Sequence, residues 1–306
     1  MWPNPRIPFR LATDRPRLAP PDGKPIIVNL AMNIEWWPFD KPMPRGFLPA
    51  PHGRPSDPPD VPNYVWCEYG LRSGMPRFLR LLRERGLTAS ALMNAEVIRV
   101  YPAVAEAVLD AGWEFVGHGW LQRTMKSVED EESEIARSLE AMRAFSGQPV
   151  RAWLGPGLSE TERTPDLLKK HGVSFLHDWF VEDLPVWMRT THGPMLAMPY
   201  ALDLNDVPVY AIQHGASDEF LKRAEATIEI FAAEARAQPR VLTFGLHPHI
   251  VGAPHVAAHF ARILDALLAR DDTVFMTSSQ IGDWFIEADG TGGAEIAPFS
   301  AARPEG

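Results

Sequence analysis

The chain has 306 residues, 45% of them hydrophobic and 23% charged, enough apolar material for one sizeable core. A formal net charge of -9 at pH 7 argues against a nucleic-acid partner, which would call for basic patches. The single cysteine, Cys67, excludes an intrachain disulfide and any cysteine-rich zinc site.

Met1 to Pro25 is proline-rich and has no apolar stretch of the kind a secretory signal carries. No apolar run approaches the roughly 20 residues that would span a bilayer. The expectation is a soluble, cytoplasmic protein with no membrane contact.

About half of the 30 prolines fall before residue 63 and mark Met1–Lys24 and Trp37–Pro62 as coil and loop. Between them, Ile26 to Met32 reads as a buried strand. Met75-Pro76 opens a helix whose apolar face is Phe78, Leu79, Leu81 and Leu82 and which Gly86 stops. Then come a strand over Thr88–Met93, a helix over Pro102–Ala111 and a strand over Trp113–Val116. Ser127 is placed to cap a helix whose first turn carries Glu129, Asp130, Glu131 and Glu132, acids that suit the positive end of its dipole. Ile135, Leu139, Met142 and Phe145 form its stripe, and Gly147 ends it.

The alternation continues with a strand over Val150–Leu154, a helix over Pro165–Lys170 and a strand over Ser174–His177. Residues 179–215 read as irregular, with short strands near Met195–Met198 and Val209–Gln213. The last elements are helices over Asp218–Ala237, His255–Ala269 and Ser278–Ile286, interleaved with strands over Val241–Leu246 and Thr273–Met276. This pattern predicts an α/β fold, a distorted (β/α) TIM-like barrel of about seven strands. The barrel spans residues 26–287, between a proline-rich arm (1–25) and a flexible tail (288–306). No G-x-G-x-x-G follows the first strand and no P-loop occurs, so nucleotide folds lose ground. Glu35, His118, Trp153, Asp178 and His247 lie at or just after strand ends, which a barrel gathers around one mouth.

Each of these residues has a plain reading and a chemical one. Glu35 is either a loop acid with a backbone or arginine partner, or a general base at the floor of a pocket. His118, between Gly117 and Gly119, is either a satisfied strand-end ring or a reactive group that the glycines let a ligand approach. His247 has the same placement and could hand a proton to a leaving nitrogen. His249 and His255 read as loop and helix-start residues. Glu68 and Arg72 form either a structural ion pair or a clamp whose guanidinium meets carbonyl or carboxylate oxygens. Asp183 to Trp187 is a turn, with Trp187 in the core or in a pocket wall with Trp36, Trp37 and Trp153. No G-x-S-x-G occurs, and Cys67 has no adjacent base.

Taken in order, six segments resemble one family. They are Asn33-Ile34-Glu35, Glu68-Tyr69-Gly70-Leu71-Arg72-Ser73-Gly74, Gly117-His118-Gly119-Trp120, Arg151 to Gly157, Asp178 with Asp183-Leu184-Pro185-Val186-Trp187, and Gly245-Leu246-His247-Pro248. From Ile26 to Ile286 the chain resembles the NodB-homology polysaccharide deacetylase superfamily. Within it, the likeness is to the intracellular branch of metal-independent allantoinase, cyclic imide hydrolases and a peptidoglycan-deacetylase-like protein.

The resemblance implies the distorted barrel and hydrolysis of a non-peptide C–N bond. In metal-dependent members an aspartate and two histidines hold a divalent ion, a further aspartate is the base and a late histidine the acid. Glu35 matches the acidic motif, but Trp36 stands where its second acid commonly lies. His118 matches the first metal histidine, Gln122 occupies the second, and His247 matches the late acid. A catalytic zinc takes three ligands from His, Cys, Asp or Glu, and an amide oxygen replaces imidazole poorly. Glu35, His118 and Gln122 would therefore hold zinc or another divalent ion only weakly, and no cofactor is expected.

The expected chemistry has Glu35 or His118 as base and His247 as acid. Arg72 and backbone amides near Gly155–Gly157 would orient the carbonyl, with Glu68, Trp153, Asp178, Asp183 and Trp187 about the substrate. That substrate is expected to be a small cyclic or linear amide or ureide. One alternative is a metal-dependent polysaccharide or peptidoglycan N-deacetylase; another is an inactive barrel that binds a metabolite or partner. The resemblance also implies a homo-oligomer, dimer or tetramer, with the arm Met1–Lys24 free to wrap a neighbour.

Overall fold

Strand β1 (Ile26–Ile34) is buried along its whole length. Its even residues, Ile26, Val28, Leu30, Met32 and Ile34, enter the core beneath the helices. Ile27 and Ala31 enter a second core on the opposite face of the sheet. Side chains alternate across a strand, so a strand apolar on both faces belongs in a sheet covered on both sides. The computed structural model describes residues 4–43, 58–294 and 296.

The other strands are β2 (Ser90–Met93), β3 (Glu114–Gly117), β4 (Ala152–Trp153), β5 (Phe175–Leu176), β6 (Val186–Met188), β7 (Met195–Ala197), β8 (Arg240–Leu246) and β9 (Thr273–Phe275). They lie in the order β6-β7-β5-β4-β3-β2-β1-β8, with β9 also on β1. Every pairing is parallel except β6 with β7. The α/β alternation is as expected, but the sheet is a curled half-barrel of nine strands. Among the described residues its two ends do not pair. The extra strand β6 is three residues long, too short to print a period on the sequence.

The helices are α1 (Val61–Tyr69), α2 (Met75–Arg83), α3 (Val97–Val100), α4 (Pro102–Asp110), α5 (Glu131–Ser146), α6 (Thr164–Lys170), α7 (Glu219–Glu234), α8 (Pro254–Leu268) and α9 (Ser278–Asp289). Helix α2 begins at Met75-Pro76, as expected, but it is not preceded by a loop. Helix α1 runs into α2 through a π turn over Gly70–Gly74. Proline has no N–H and crowds the carbonyl four residues back, here that of Arg72, and a widened turn relieves both. The cap of α5 is Asp130, which accepts from the Ser133 amide at 3.0 Å; Ser127 lies in a separate 3-10 turn. The strand expected near Val209–Gln213 is a π turn over Val207–Ile212. Helix α9 carries regular structure into the expected tail.

The arm packs on its own chain. Arg6 pairs with Asp166 at 2.8 Å, Arg15 with Glu182 at 3.0 Å, and the Leu18 amide donates to Gln238 at 2.8 Å. No helix among the described residues is long and apolar enough to cross a membrane.

Candidate active site

The alternation that sorts the core also builds the site. Continued past the end of β1, the inward row Ile27, Asn29, Ala31, Asn33 arrives at Glu35. On β8, Leu242, Phe244 and Leu246 face the helices while Val241 faces inward, and that row ends in His247. On β3, inward Val116 leads to His118. The three groups meet at the floor of a cavity of about 530 Å³. Asn33, Gln122, Arg123, Tyr200 and Asn205 add polar atoms to it; Trp37, Leu154, Leu158, Leu202 and Val207 supply apolar wall.

Glu35 Oε1 is the focus. Gln122 Nε2 donates to it at 2.6 Å, His118 Nε2 stands 3.4 Å away and His247 Nε2 3.8 Å. Burial by itself would raise the Glu35 carboxyl. The positive potential of His247 and the hydrogen bond from His118 outweigh it and hold the carboxyl below its ordinary value. His118 Nδ1 donates to the Leu154 carbonyl at 2.7 Å, so Nε2 is the nitrogen that faces Glu35.

Asn94, one residue beyond β2, ties three loops together. Its Oδ1 accepts from the Trp36 amide at 2.9 Å, and its Nδ2 donates to the His118 carbonyl and to Gln122 Oε1 at 3.2 Å. Backbone donors and acceptors cannot exchange roles, so Trp36 N–H and His118 C=O set the Asn94 amide. That in turn sets Gln122: its oxygen faces Asn94 and its nitrogen faces Glu35. A divalent ion between Glu35, His118 and Gln122 would need the Gln122 oxygen, which points away. Among the described residues, no three His, Cys, Asp or Glu side chains group as ion ligands. These donors do not fit a three-ligand zinc site.

His247 is held from the far side of its ring. Asp206 Oδ1 accepts from Nδ1 at 2.6 Å and Oδ2 accepts from the His247 amide at 2.7 Å. Asp206 is fully buried, which raises its carboxyl against the pull of the imidazole. Nε2 is left facing Glu35. The sequence reading missed Asp206, because its segment carries no periodic signal; Asn205 beside it pairs in parallel with Gly245 and brings it alongside β8.

Several residues expected about the substrate lie elsewhere. Trp153 is fully buried on the outward face of β4, where the missing side chain of Gly117 makes its space. Asp183 belongs to the opposite end of the sheet, its carbonyl accepting from the Val241 amide at 3.0 Å where β8 begins. Trp187 packs on Phe285 and donates to Asp289 at 2.8 Å. Arg72 is 73% exposed and bonded to Glu68 at 2.8 Å along one helical turn, outside the cavity lining. Asp178 instead takes the Gly155 amide on both oxygens, at 3.0 and 2.8 Å, so that N–H is not free to orient a carbonyl.

The motif around Arg72 still has a use. A side chain at Gly70 would fall on the His249 backbone, and one at Gly74 on the Pro248 carbonyl. Both glycines let the π turn press against the loop that carries His247.

Residues 61–176 match the polysaccharide deacetylase family. A peptidoglycan deacetylase of Helicobacter pylori is 23% identical over 246 residues, covering 70% of this chain and 84% of that protein. Puue allantoinase has the same fold, with a TM-score of 0.78 at 21% identity over 90% of this chain and 95% of that one. A probable polysaccharide deacetylase from Pseudomonas aeruginosa PAO1 gives 0.77 at 23% identity over the same shares.

Proposed function

We propose that the chain, whose residues 61–176 match the polysaccharide deacetylase family, is a hydrolase of carbon–nitrogen bonds that cleaves a small cyclic or linear amide or ureide with no resident metal. The observation that carries this reading is the direction of the Gln122 amide, nitrogen toward Glu35 and oxygen toward Asn94.

Glu35, kept as a carboxylate by its two imidazole neighbours, takes a proton from a water that attacks the substrate carbonyl. His118 Nε2 and Gln122 Nε2 hold the carboxylate in place, so the base is Glu35 and His118 its support. His247 is the acid: Asp206 fixes Nδ1 as donor and stabilises the imidazolium, and Nε2 passes its proton to the nitrogen as the C–N bond breaks. The products are a carboxylic acid and an amine. The separation of 3.8 Å between Glu35 Oε1 and His247 Nε2 is short enough for the first proton to return to the acid.

A carboxylate below its ordinary value is a weak base, so the reaction suits an activated carbonyl. Ring strain or a second acyl group on nitrogen supplies that activation; an N-acetyl sugar does not. The cavity of about 530 Å³ is of the size that holds a small molecule.

The test is to strip divalent ions with a chelator and assay succinimide, hydantoin, allantoin and N-acetylglucosamine oligomers. The expected result is chelator-resistant opening of a ring amide. Loss of activity on stripping, restored by zinc, would overturn the metal-free reading, and turnover of the sugar alone would overturn the substrate class.

A further inference from the structure

Attack on a carbonyl builds negative charge on its oxygen, and a site that hydrolyses amides needs a donor aimed there. Arg72 lies outside the cavity and the Gly155 amide is committed to Asp178. Tyr200 lines the cavity beside Asn33 and Glu35, and only 2% of it is exposed.

Its Oη accepts two hydrogen bonds, from Asn33 Nδ2 at 2.8 Å and Asn205 Nδ2 at 3.1 Å. Neither amide can be turned to accept in return. Asn33 Nδ2 also donates to the Leu246 carbonyl at 3.1 Å, and Asn205 Oδ1 accepts from the Val207 amide at 3.0 Å. Backbone groups thus fix both side chains with their nitrogens toward the phenol. The arrangement depends on Gly245, because a Cβ there would lie 2.7 Å from Asn205 Nδ2 and 2.9 Å from Tyr200 Oη. A phenol that takes two hydrogens from its neighbours has one of its own left, and the cavity is where an acceptor for it can enter.

We propose that Tyr200 is a catalytic residue, its Oη–H donating to the substrate carbonyl oxygen and to the oxyanion that forms there. The role rests on the amide-hydrolase reading above. No proton is transferred: Tyr200 keeps its hydrogen while Glu35 and His247 move theirs. Burial raises the phenol and so keeps it protonated through the working range of the enzyme. Asn33 and Asn205 are positioning residues, since their two donated bonds polarise the phenol and orient its hydrogen.

The experiment compares full-length wild type and Tyr200→Phe on the ring amide that wild type opens fastest among succinimide, hydantoin and allantoin. Circular dichroism and thermal melting report the fold. The expected outcome is a fall in kcat of about 10²–10³-fold with KM changed only a few-fold. A second variant carries 3-fluorotyrosine at position 200, which keeps the ring and both accepted bonds but has a more acidic phenol. Its kcat is expected to rise, a change that a purely structural role would not produce. A Tyr200→Phe enzyme within threefold of wild type in kcat, or a fluorinated enzyme whose kcat is indifferent to the phenol, would overturn the proposal while leaving the amide-hydrolase reading in place. Wild type that opens none of the three rings removes that reading and this role together.

Discussion

Gln122 Nε2 donates to Glu35 Oε1 across 2.6 Å, while Gln122 Oε1 is held by Asn94 at 3.2 Å. A neutral donor thus stands against the carboxylate. Replacing that donor by an oxygen sets two carboxylates at hydrogen-bonding distance, and like charges that close raise one of the pair. For Gln122→Glu we expect the acid limb of the kcat/KM profile to move to higher pH, with reduced activity near neutrality. An unmoved limb would show that Glu35 is not the base.

Asp206 supports His247 through both its oxygens, at 2.6 and 2.7 Å. Asp206→Asn keeps the size but presents an amide that cannot accept on both atoms, so His247 loses its fixed tautomer and the support for its charged form. Activity is expected to fall by about 10²–10⁴-fold, the range for general acid–base catalysis. His247→Ala should cost a similar factor and the double variant little more, because the two side chains act as one unit. Steady-state kinetics on the four enzymes checks this.

Gly74 lies against the Pro248 carbonyl, next to His247. Gly74→Ala leaves no room for its methyl group, so the π turn and the histidine loop must part. Overpacking of this kind costs about 1–3 kcal/mol. A lower melting temperature together with a drop in kcat is expected, whereas Arg72→Ala, on the exposed side of the same turn, should alter neither strongly.

Asp178 and Glu160 form a half-buried acid pair behind the loop Gly155–Ser159, and Trp179 donates to Glu160 at 2.7 Å. Burial raises both carboxyls, and the nearby Asp178 charge raises Glu160 further. A raised carboxyl binds its proton more tightly in the folded chain than in the unfolded one. The stabilisation is therefore complete at low pH and is lost as pH rises above the ordinary glutamate value of 4.5. Melting temperature should decline over that rise in wild type, and Glu160→Gln, neutral throughout, should flatten the slope. A Gln variant with an undiminished slope would place the pH dependence in another group.

Much of this architecture is local and so could be read before folding. Alternating strand and helix periods predicted the α/β sheet, and the strand-end positions of Glu35, His118 and His247 brought the three reacting groups together. The substitution of Gln122 for a metal histidine was visible as a departure from a resemblance. Even the misplacement of Trp153 was avoidable: it sits one residue out of step with inward Ala152 and Leu154, and strand parity sends it to the helix side.

What the sequence by itself determined, then, is which side chains end strands on the inner face, because side-chain alternation is a property of a few neighbouring residues. Which partner each of them meets was decided only by the tertiary structure. Asn94 and Tyr200 continue the inward rows of β2 and β7, but their partners come from other strands. Asn205 and Asp206 lie in a segment with no period and reach the site through a loop that folds back beside β8, with Gly245 permitting the approach. The direction of the Gln122 amide belongs to this second class: it is set by backbone groups of Trp36 and His118 acting through Asn94, a chain of contacts that exists only once β1, β2 and β3 lie side by side.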